Sequence, residues 1–173
     1  MKRNWNFLAW LLGAAILVPA GTSAHEDKEL ESDAAASHQN LITANPFGFV
    51  FEWFNVEYER KIRANTTLGF TASYATPDGG TLATGNAILR LYPQGTALKG
   101  FYIGGRTGTY YLNDYDDNGT FLGAGVEVGY TWLMGANKNW YLGMGAGVTR
   151  LFGGVSGSAV FPQVRFVNFG YAF

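Results

Sequence analysis

The segment from Phe161 to Phe173 ends the chain on an aromatic residue and alternates in polarity over its final part. Counting back from the C terminus, every second residue is apolar, namely Phe173, Tyr171, Phe169 and Val167. The intervening residues are small or polar, namely Ala172, Gly170 and Asn168. Successive side chains of a β-strand point to opposite faces, so this pattern predicts a terminal strand with one apolar face.

The N-terminal segment predicts export. Lys2 and Arg3 precede an apolar run of residues 7–20, and the small residues of Thr22-Ser23-Ala24 precede a charged stretch. This order is typical of a cleaved signal peptide, and the run is shorter than the roughly 20 residues that a spanning helix needs. We therefore expect residues 1–24 to be removed. Residues 25–39 are polar and acidic, which predicts a flexible periplasmic lead-in.

An aromatic terminal strand in an exported chain is typical of β-barrels of the bacterial outer membrane. We expect Phe169, Tyr171 and Phe173 to form the signal that the outer-membrane barrel assembly machinery recognises. Turn residues separate eight strand-like segments. The predicted strands are residues 41–47, 50–62, 66–75, 82–92, 101–112, 120–133, 140–152 and 160–173. The predicted fold is all-β, an eight-stranded antiparallel transmembrane barrel over residues 40–173.

The sixth predicted strand indicates which face of the barrel meets lipid. One face is apolar throughout, with Leu122, Ala124, Val126, Val128, Tyr130 and Trp132. The opposite face carries Glu127 among glycines. A charge that faces lipid near the midplane costs about 2–4 kcal/mol, so Glu127 is expected to point inward. A soluble barrel would have the reverse arrangement, with its bulky residues inside.

The same rule places six charged residues inside the barrel. Eight strands enclose only enough room for side chains, so these charges must pair with one another or with trapped water. The predicted interior charge network consists of Glu57, Glu59, Arg90, Arg106, Glu127 and Arg165. Strict alternation from Phe173 would direct Arg165 toward lipid. A one-residue β-bulge between Phe166 and Asn168 would return Arg165 and Gln163 to the interior.

Aromatic residues near the predicted strand ends predict girdles at the two membrane interfaces. These residues are Tyr74, Tyr92, Trp132, Trp140, Tyr141 and Tyr171.

Several segments resemble a family of small bacterial outer-membrane barrels that has no agreed activity. They are Asn45-Pro46-Phe47-Gly48, Asn55-Val56-Glu57-Tyr58-Glu59-Arg60, Phe161-Pro162-Gln163-Val164-Arg165 and Gly170-Tyr171-Ala172-Phe173. The resemblance covers most of residues 40–173 and implies only the fold and the compartment. This chain has one extra residue before the closing Phe-Gly-Tyr-Ala-Phe, where the bulge is predicted. The architecture is also similar to that of the OmpA transmembrane domain and OmpX.

The sequence contains few residues that could serve in catalysis or bind a metal. The chain has no Cys, and its two His residues, His25 and His38, both lie in the lead-in. Eight-stranded outer-membrane enzymes that modify lipids rely on a His in or above the barrel, which this sequence does not supply. The two His lack an evident third metal ligand. The sequence therefore predicts no enzyme and no cofactor.

Residues 114–119, Asp-Tyr-Asp-Asp-Asn-Gly, match the first half of a calcium loop. The twelfth position of that loop is Gly125 instead of a bidentate Glu, so we expect an acidic surface hairpin with no dedicated metal site. Weak binding of a divalent cation stays open as an alternative. The candidate ligands, which would bridge to lipopolysaccharide phosphates, are Asp114, Asp116 and Asn118.

The net charge of the barrel segment and the length of its loops limit the classes of function that the chain can have. Residues 40–173 carry 9 basic and 8 acidic side chains, which leaves no electrostatic footprint for nucleic acid. Loops at Gly48, 77–81, 113–120 and 153–157 are expected to face outside. They are short, which favours a monomer with a structural or envelope-integrity role, in contact with outer-membrane lipids and lipopolysaccharide. Two alternatives stay open, a small pore or transporter and a surface-binding module that acts through the acidic loop 113–120.

Overall fold

The computed structural model describes residues 37–46, 53–76, 80–113, 118–154 and 157–173. These residues form an antiparallel sheet that closes on itself, with its strands in chain order. The strands are β1 (Asn40–Ala44), β2 (Trp53–Arg63), β3 (Thr66–Ala75), β4 (Thr81–Leu91), β5 (Gly100–Asn113), β6 (Asn118–Met134), β7 (Trp140–Gly154) and β8 (Gly157–Ala172). β1 closes the barrel on β8 through pairs from Leu41–Ala172 to Ala44–Phe169. The predicted eight-stranded antiparallel barrel is confirmed.

The two ends of the barrel hold different parts of the chain. At one end β1 begins and β8 ends, and we call it the terminal end. It also holds the turns at residues 64–65, 92–99 and 135–139. At the opposite end the strands end at Ala44, Ala75, Asn113 and Gly154, and the following strands begin at Trp53, Thr81, Asn118 and Gly157. No helix in the described ranges is long and apolar enough to cross a membrane.

Several predicted features lie outside the described residues. They are the signal peptide, the lead-in up to residue 36, Gly48 and much of the other loops at the opposite end, and the candidate ligands Asp114 and Asp116. Asn118, the third candidate ligand, is the exposed first residue of β6.

The first strand is shorter than predicted. β1 ends at Ala44, whereas the sequence pattern predicted a strand to residue 47. Asn45 still donates a backbone hydrogen bond to the carbonyl oxygen of Asn55, at 3.0 Å. The next residue is Pro46, which has no N–H to offer to a ladder. The other strands lie where the sequence pattern predicted them, with small shifts at their ends.

Side chains alternate between an apolar outer surface and a polar interior. Leu122 is 64% exposed, whereas Glu127 on the other face of β6 is 5% exposed. Large apolar side chains cover the outer surface, among them Phe70, Leu89, Ile103, Val126, Val128, Val148 and Val164. Buried polar residues occupy the interior, among them Glu57, Glu59, Thr71, Asn86, Arg90 and Asn168. The predicted facing of the strands is confirmed.

β8 contains the predicted bulge. Gly143 of β7 pairs with Asn168, and Gly145 pairs with Arg165, so β8 holds one extra residue between these pairs. The bulge restores the alternation and lets Asn168 and Arg165 both face inward. Phe169, Tyr171 and Phe173 remain exposed on the outer surface.

Candidate functional site in the barrel lumen

The lumen has three layers along the barrel axis. An apolar seal closes the terminal end, a network of ion pairs crosses the middle, and a polar cavity occupies the opposite half. Each layer is built from inward-facing residues of several strands, so its composition depends on how the strands are registered.

The apolar seal forms where the turn between β4 and β5 folds into the barrel. Its buried residues are Leu41, Tyr92, Ala97, Leu98, Tyr102, Leu133, Tyr141 and Ala172. The turn is held by backbone hydrogen bonds of 2.8 Å from Tyr92 to Asn65 and from Ala97 to Ala64. Leu98 has a positive φ of 70°, and its carbonyl oxygen accepts a 3.0 Å hydrogen bond from the Thr131 hydroxyl. This buried, bonded turn closes the terminal end.

Two of the predicted girdle residues belong to the lumen instead. Tyr92 and Tyr141 are both 0% exposed, so their assignment to a membrane interface was wrong. Tyr92 follows the end of β4 and enters the lumen with the turn. Tyr141 lies on the inward face of β7, which it shares with Gly143, and this parity was a usable signal in the sequence.

The other four girdle residues are exposed on the outer surface, namely Tyr74, Trp132, Trp140 and Tyr171. Trp140 stacks on Phe169 with ring centroids 5.4 Å apart and meets Tyr171 edge-on at 5.7 Å. Trp132 lies 4.8 Å from the ring of Tyr130. These clusters lie on β6, β7 and β8 near the terminal end.

Arg90 is the centre of the ion-pair network. Its Nε donates to Glu127 Oε1 at 2.6 Å, and its Nη1 and Nη2 donate to the two oxygens of Glu57 at 2.7 and 3.0 Å. Nη1 also donates to Glu59 Oε2. The guanidinium lies 4.8 Å from the centre of the Tyr102 ring. Arg90 on β4 thereby links β2 to β6 across the lumen.

Two further arginines extend the network toward the opposite end. Arg106 Nη2 lies 2.8 Å from Glu127 Oε2, and Arg165 Nη2 lies 2.8 Å from Glu57 Oε1. All six residues of the predicted charge network are therefore joined. Three arginines balance three glutamates, so the network carries no formal net charge. Among the described residues the network joins β2, β4, β5, β6 and β8.

Several neutral partners complete the network. The Tyr92 hydroxyl donates to Glu59 Oε1 at 2.9 Å, and Arg165 Nη1 donates to the Tyr102 hydroxyl at 3.3 Å. Arg106 Nη1 donates to Gln163 Oε1, and Gln163 donates to the Tyr110 hydroxyl at 3.0 Å. The hydrogen bond between Tyr92 and Glu59 was not predicted from the sequence, because it depends on the turn that folds into the barrel.

Glycines make room for these side chains. A Cβ atom at Gly104 would lie 2.9 Å from Glu127 Cγ and 3.2 Å from Arg90 Cγ. At Gly147 it would lie 3.0 Å from Glu127 Cβ. The inward glycines of β5 and β7 therefore allow large charged groups to fill a narrow barrel.

The polar cavity lies on the opposite side of the network from the apolar seal. Its volume is about 70 Å³. Asn55, Ser73, Thr84, Tyr110 and Gln163 supply polar atoms to its wall, and Arg106 and Arg165 also line it. Asn45, Trp53, Ala75 and Leu82 line it near the connections of the opposite end. A water molecule needs about 10–15 Å³ of such space, so the cavity has room for several water molecules.

His38 and Gln39, which were expected to be flexible, are bound to the terminal end. His38 is buried, and its Nε2 lies 2.9 Å from the carbonyl oxygen of Asn137. Gln39 donates a backbone hydrogen bond to Phe173 and accepts one from Lys61. Within the described ranges, no three His, Cys, Asp or Glu residues are grouped as metal ligands would be.

Comparison with known proteins gave one similar solved structure. No protein-family model matches the chain, and no curated protein matches it. The chain is similar to the crystal structure of the N-terminal β-barrel domain of Pseudomonas aeruginosa OprF, with 16% identity and a TM-score of 0.46. The match covers 79% of this chain and 98% of that one. The resemblance to a family of small outer-membrane barrels stays a prediction.

Proposed function

We propose that the chain is an integral β-barrel protein of the bacterial outer membrane, with a closed lumen and a structural role in the cell envelope. The observation that carries the proposal is the combination of an apolar outer surface with an interior filled by paired charges. The apolar outer surface supports insertion into a membrane, and the filled interior supports a barrel that conducts no ions.

The outer surface supports membrane insertion. Its exposed aliphatic and aromatic side chains extend around the barrel, whereas soluble monomers rarely expose apolar patches above a few hundred Å². The strands β2 to β8 have 10–17 residues each, and a tilted transmembrane strand needs about 9–11. By the convention of outer-membrane barrels, the terminal end lies in the periplasm and the opposite end faces lipopolysaccharide.

The filled lumen argues against a pore. The guanidinium of Arg90 bonds to carboxylates on β2 and β6, and beneath it the inward turn closes the terminal end. An ion would have to break both layers to pass. Separating Arg90 from its glutamates leaves buried charges uncompensated, at a cost of about 3–5 kcal/mol.

The residue content argues against catalysis. The chain contains no Cys, and His38, the His among the described residues, precedes the first barrel strand. The three described glutamates of the lumen are bound to arginines, so none of them is available as a general base. Phe169, Tyr171 and Phe173 keep their side chains on the outer surface, and we propose the assembly machinery as a partner that binds this strand during folding, before the barrel closes.

Conductance across a planar lipid bilayer tests the closed lumen. We expect the purified protein to insert and to give no discrete current steps, because the network and the seal block the axis. Insertion is checked separately by a difference in gel migration between heated and unheated samples. Reproducible steps from inserted protein would contradict closure and would favour the small-pore alternative.

The detergent sensitivity of a deletion strain tests the role in the cell envelope. Deletion of the gene is expected to increase the sensitivity of the bacterium to detergent, and the wild-type gene is expected to restore resistance. A deletion strain with unchanged sensitivity would overturn the envelope role and leave the barrel assignment intact. The other alternative, binding through residues 113–120, would lead to loss of a surface interaction when Asp114–Gly119 is removed.

A further inference from the structure

Positive charge is concentrated at the terminal end of the barrel. Five basic residues, which we call the basic rim, lie there, namely Arg60, Lys61, Arg63, Lys99 and Lys138. The first three belong to the last four residues of β2, Lys99 directly precedes β5, and Lys138 lies in the turn between β6 and β7. The two arginines are exposed and the three lysines are half-buried. The rim contains every lysine of residues 40–173.

The described residues place no carboxylate side chain beside this charge on the outside of the barrel. Their acidic residues are Glu57, Glu59 and Glu127, and each of these is buried in the lumen and bonded to Arg90. In the opposite half, Arg150 is the one described basic residue on the outer surface. A partner of the terminal end is therefore expected to be anionic.

The sequence contains an anionic segment shortly before the residues that are bound at the terminal end. Residues 26–33, which we call the acidic segment, contain five carboxylates and one lysine, a net charge of −4. Asp33, the last residue of this segment, precedes Ser37 by four positions, and Ser37 is the first residue that the structure describes. The acidic segment and the basic rim are thus opposite in sign and similar in amount of charge.

The N-terminal anchor of the barrel lies among the lysines of the rim. His38 Nε2 lies 2.9 Å from the carbonyl oxygen of Asn137, the neighbour of Lys138 in its turn. The backbone N–H of Lys61 donates to the carbonyl oxygen of Gln39 at 2.8 Å. Two rim lysines from different parts of the barrel therefore flank the point from which the chain continues to the acidic segment.

The acidic segment is long enough to reach the whole rim. Eight tilted strands about 4.8 Å apart enclose a mouth of about 16 Å in diameter. An extended chain spans about 3.4 Å per residue, so Asp33 can lie up to about 14 Å from Ser37, and Glu29 up to about 27 Å. Lys99 is the most distant rim lysine, since β5 is halfway around the ring from β1. It is within reach of Glu29.

From these observations we propose that the acidic segment binds the basic rim and lies across the mouth of the barrel at the terminal end. Each contact is a surface ion pair, which changes a binding equilibrium by about two- to fivefold. The segment is tethered beside the rim, so its effective concentration is high and several weak pairs suffice. The inference rests on the barrel and its N-terminal anchor, and it is independent of the envelope role.

Carbodiimide crosslinking of the purified protein with its lead-in tests the contact directly, because this reagent joins a carboxylate to an amine without a spacer. The expected products, in the monomer, are amide bonds from the acidic segment to Lys61, Lys99 or Lys138. Their yield should fall at about 1 M sodium chloride, where the screening length is about 3 Å. Links that are absent, or equally abundant at high salt, would overturn the proposal.

A spin label in the acidic segment measures how much of it is bound. The chain has no Cys, so Ser32→Cys supplies a single site for a nitroxide. The EPR spectrum in detergent is expected to contain an immobilised and a mobile component. Lys138→Gln should lower the ratio of the two by about two- to fivefold, and its combination with Lys61→Gln and Lys99→Gln by about tenfold or more. Arg150→Gln removes a cation of the opposite half and is the control that should leave the ratio unchanged.

The outcomes of the spin-label experiment decide between occupants of the rim. A fully mobile label in the wild type, or an immobilised component that persists in the triple lysine variant, would overturn the proposal. A label that is immobilised in phosphatidylcholine vesicles but mobile in phosphatidylglycerol vesicles would assign the rim to anionic lipid instead. Equal immobilisation in both kinds of vesicle would support the acidic segment. Folding of each variant is verified by gel migration before and after heating.

Discussion

The described residues pack differently in the two halves of the lumen, although the same strands build both. In the terminal half, the turn at residues 92–99 enters the barrel and packs Leu98 against buried tyrosines. In the opposite half, the inward residues of β3 and β4 are short, among them Ser73, Ala75 and Thr84, and a polar cavity remains. In the terminal half, packing therefore depends on a turn that folds inward from outside the strands. Arg90 lies at the boundary of the two halves.

Replacement of Arg90 is expected to have the largest effect on the stability of the barrel. Arg90→Met leaves Glu59 without its arginine partner and weakens the pairing of Glu57 and Glu127. We expect the free energy of unfolding in urea to fall by about 3–5 kcal/mol, because buried carboxylates lose their counter-charge. The control Arg60→Met removes an exposed arginine and should change stability by about 0.5 kcal/mol or less. Similar losses in both variants would mean that the network does not hold the halves together.

Truncation of one leucine in each half compares their packing directly. Leu98→Ala leaves a void in the apolar seal and should cost about 2–5 kcal/mol. Leu82→Ala borders a cavity that already exists, so it should cost less than Leu98→Ala. Urea unfolding of both variants in the same detergent gives the difference. An equal cost would mean that the opposite half is packed as tightly as the terminal half.

Addition of a single methyl group gives the smallest expected effect. A Cβ atom at Gly129 would overlap the Tyr102 ring and the carbonyl oxygen of Met144, so Gly129→Ala should cost about 1–3 kcal/mol. Gly105 faces outward, and a Cβ atom added there would have no neighbour within 4 Å, so Gly105→Ala should be neutral. Thermal or urea unfolding distinguishes the two. A neutral Gly129→Ala would show that Tyr102 moves easily and that the seal is loose.

The facing of the strands was predictable because it is a local property. Side chains alternate with a period of two, so one charged residue, such as Glu127, identifies the inward face of its whole strand. The same reasoning located the bulge in β8, since strict alternation would otherwise direct Arg165 outward. Alternation from the inward Arg90 also places Tyr92 inward, as found. Its wrong assignment to a girdle came from its position near a predicted strand end.

The ion pairs inside the lumen could not be predicted from the sequence in the same way. Glu59 and Arg90 are separated by 31 positions in the chain, and Glu57 and Arg165 by 108. Which charges meet depends on strand register and on closure of β1 against β8. The cavity beside Arg106 and Arg165 depends on the same geometry, since its wall is formed by residues from strands that are distant in the sequence.

By itself, the sequence determined the class of fold, the inward and outward faces and the set of charges to be buried, because each follows from the period of a strand and the cost of a charge in lipid. Only the tertiary structure decided that the turn at residues 92–99 seals one half, that Arg90 binds three glutamates, and that a cavity remains in the other half. These features arise from contacts between distant segments, and their geometry is set when the barrel closes.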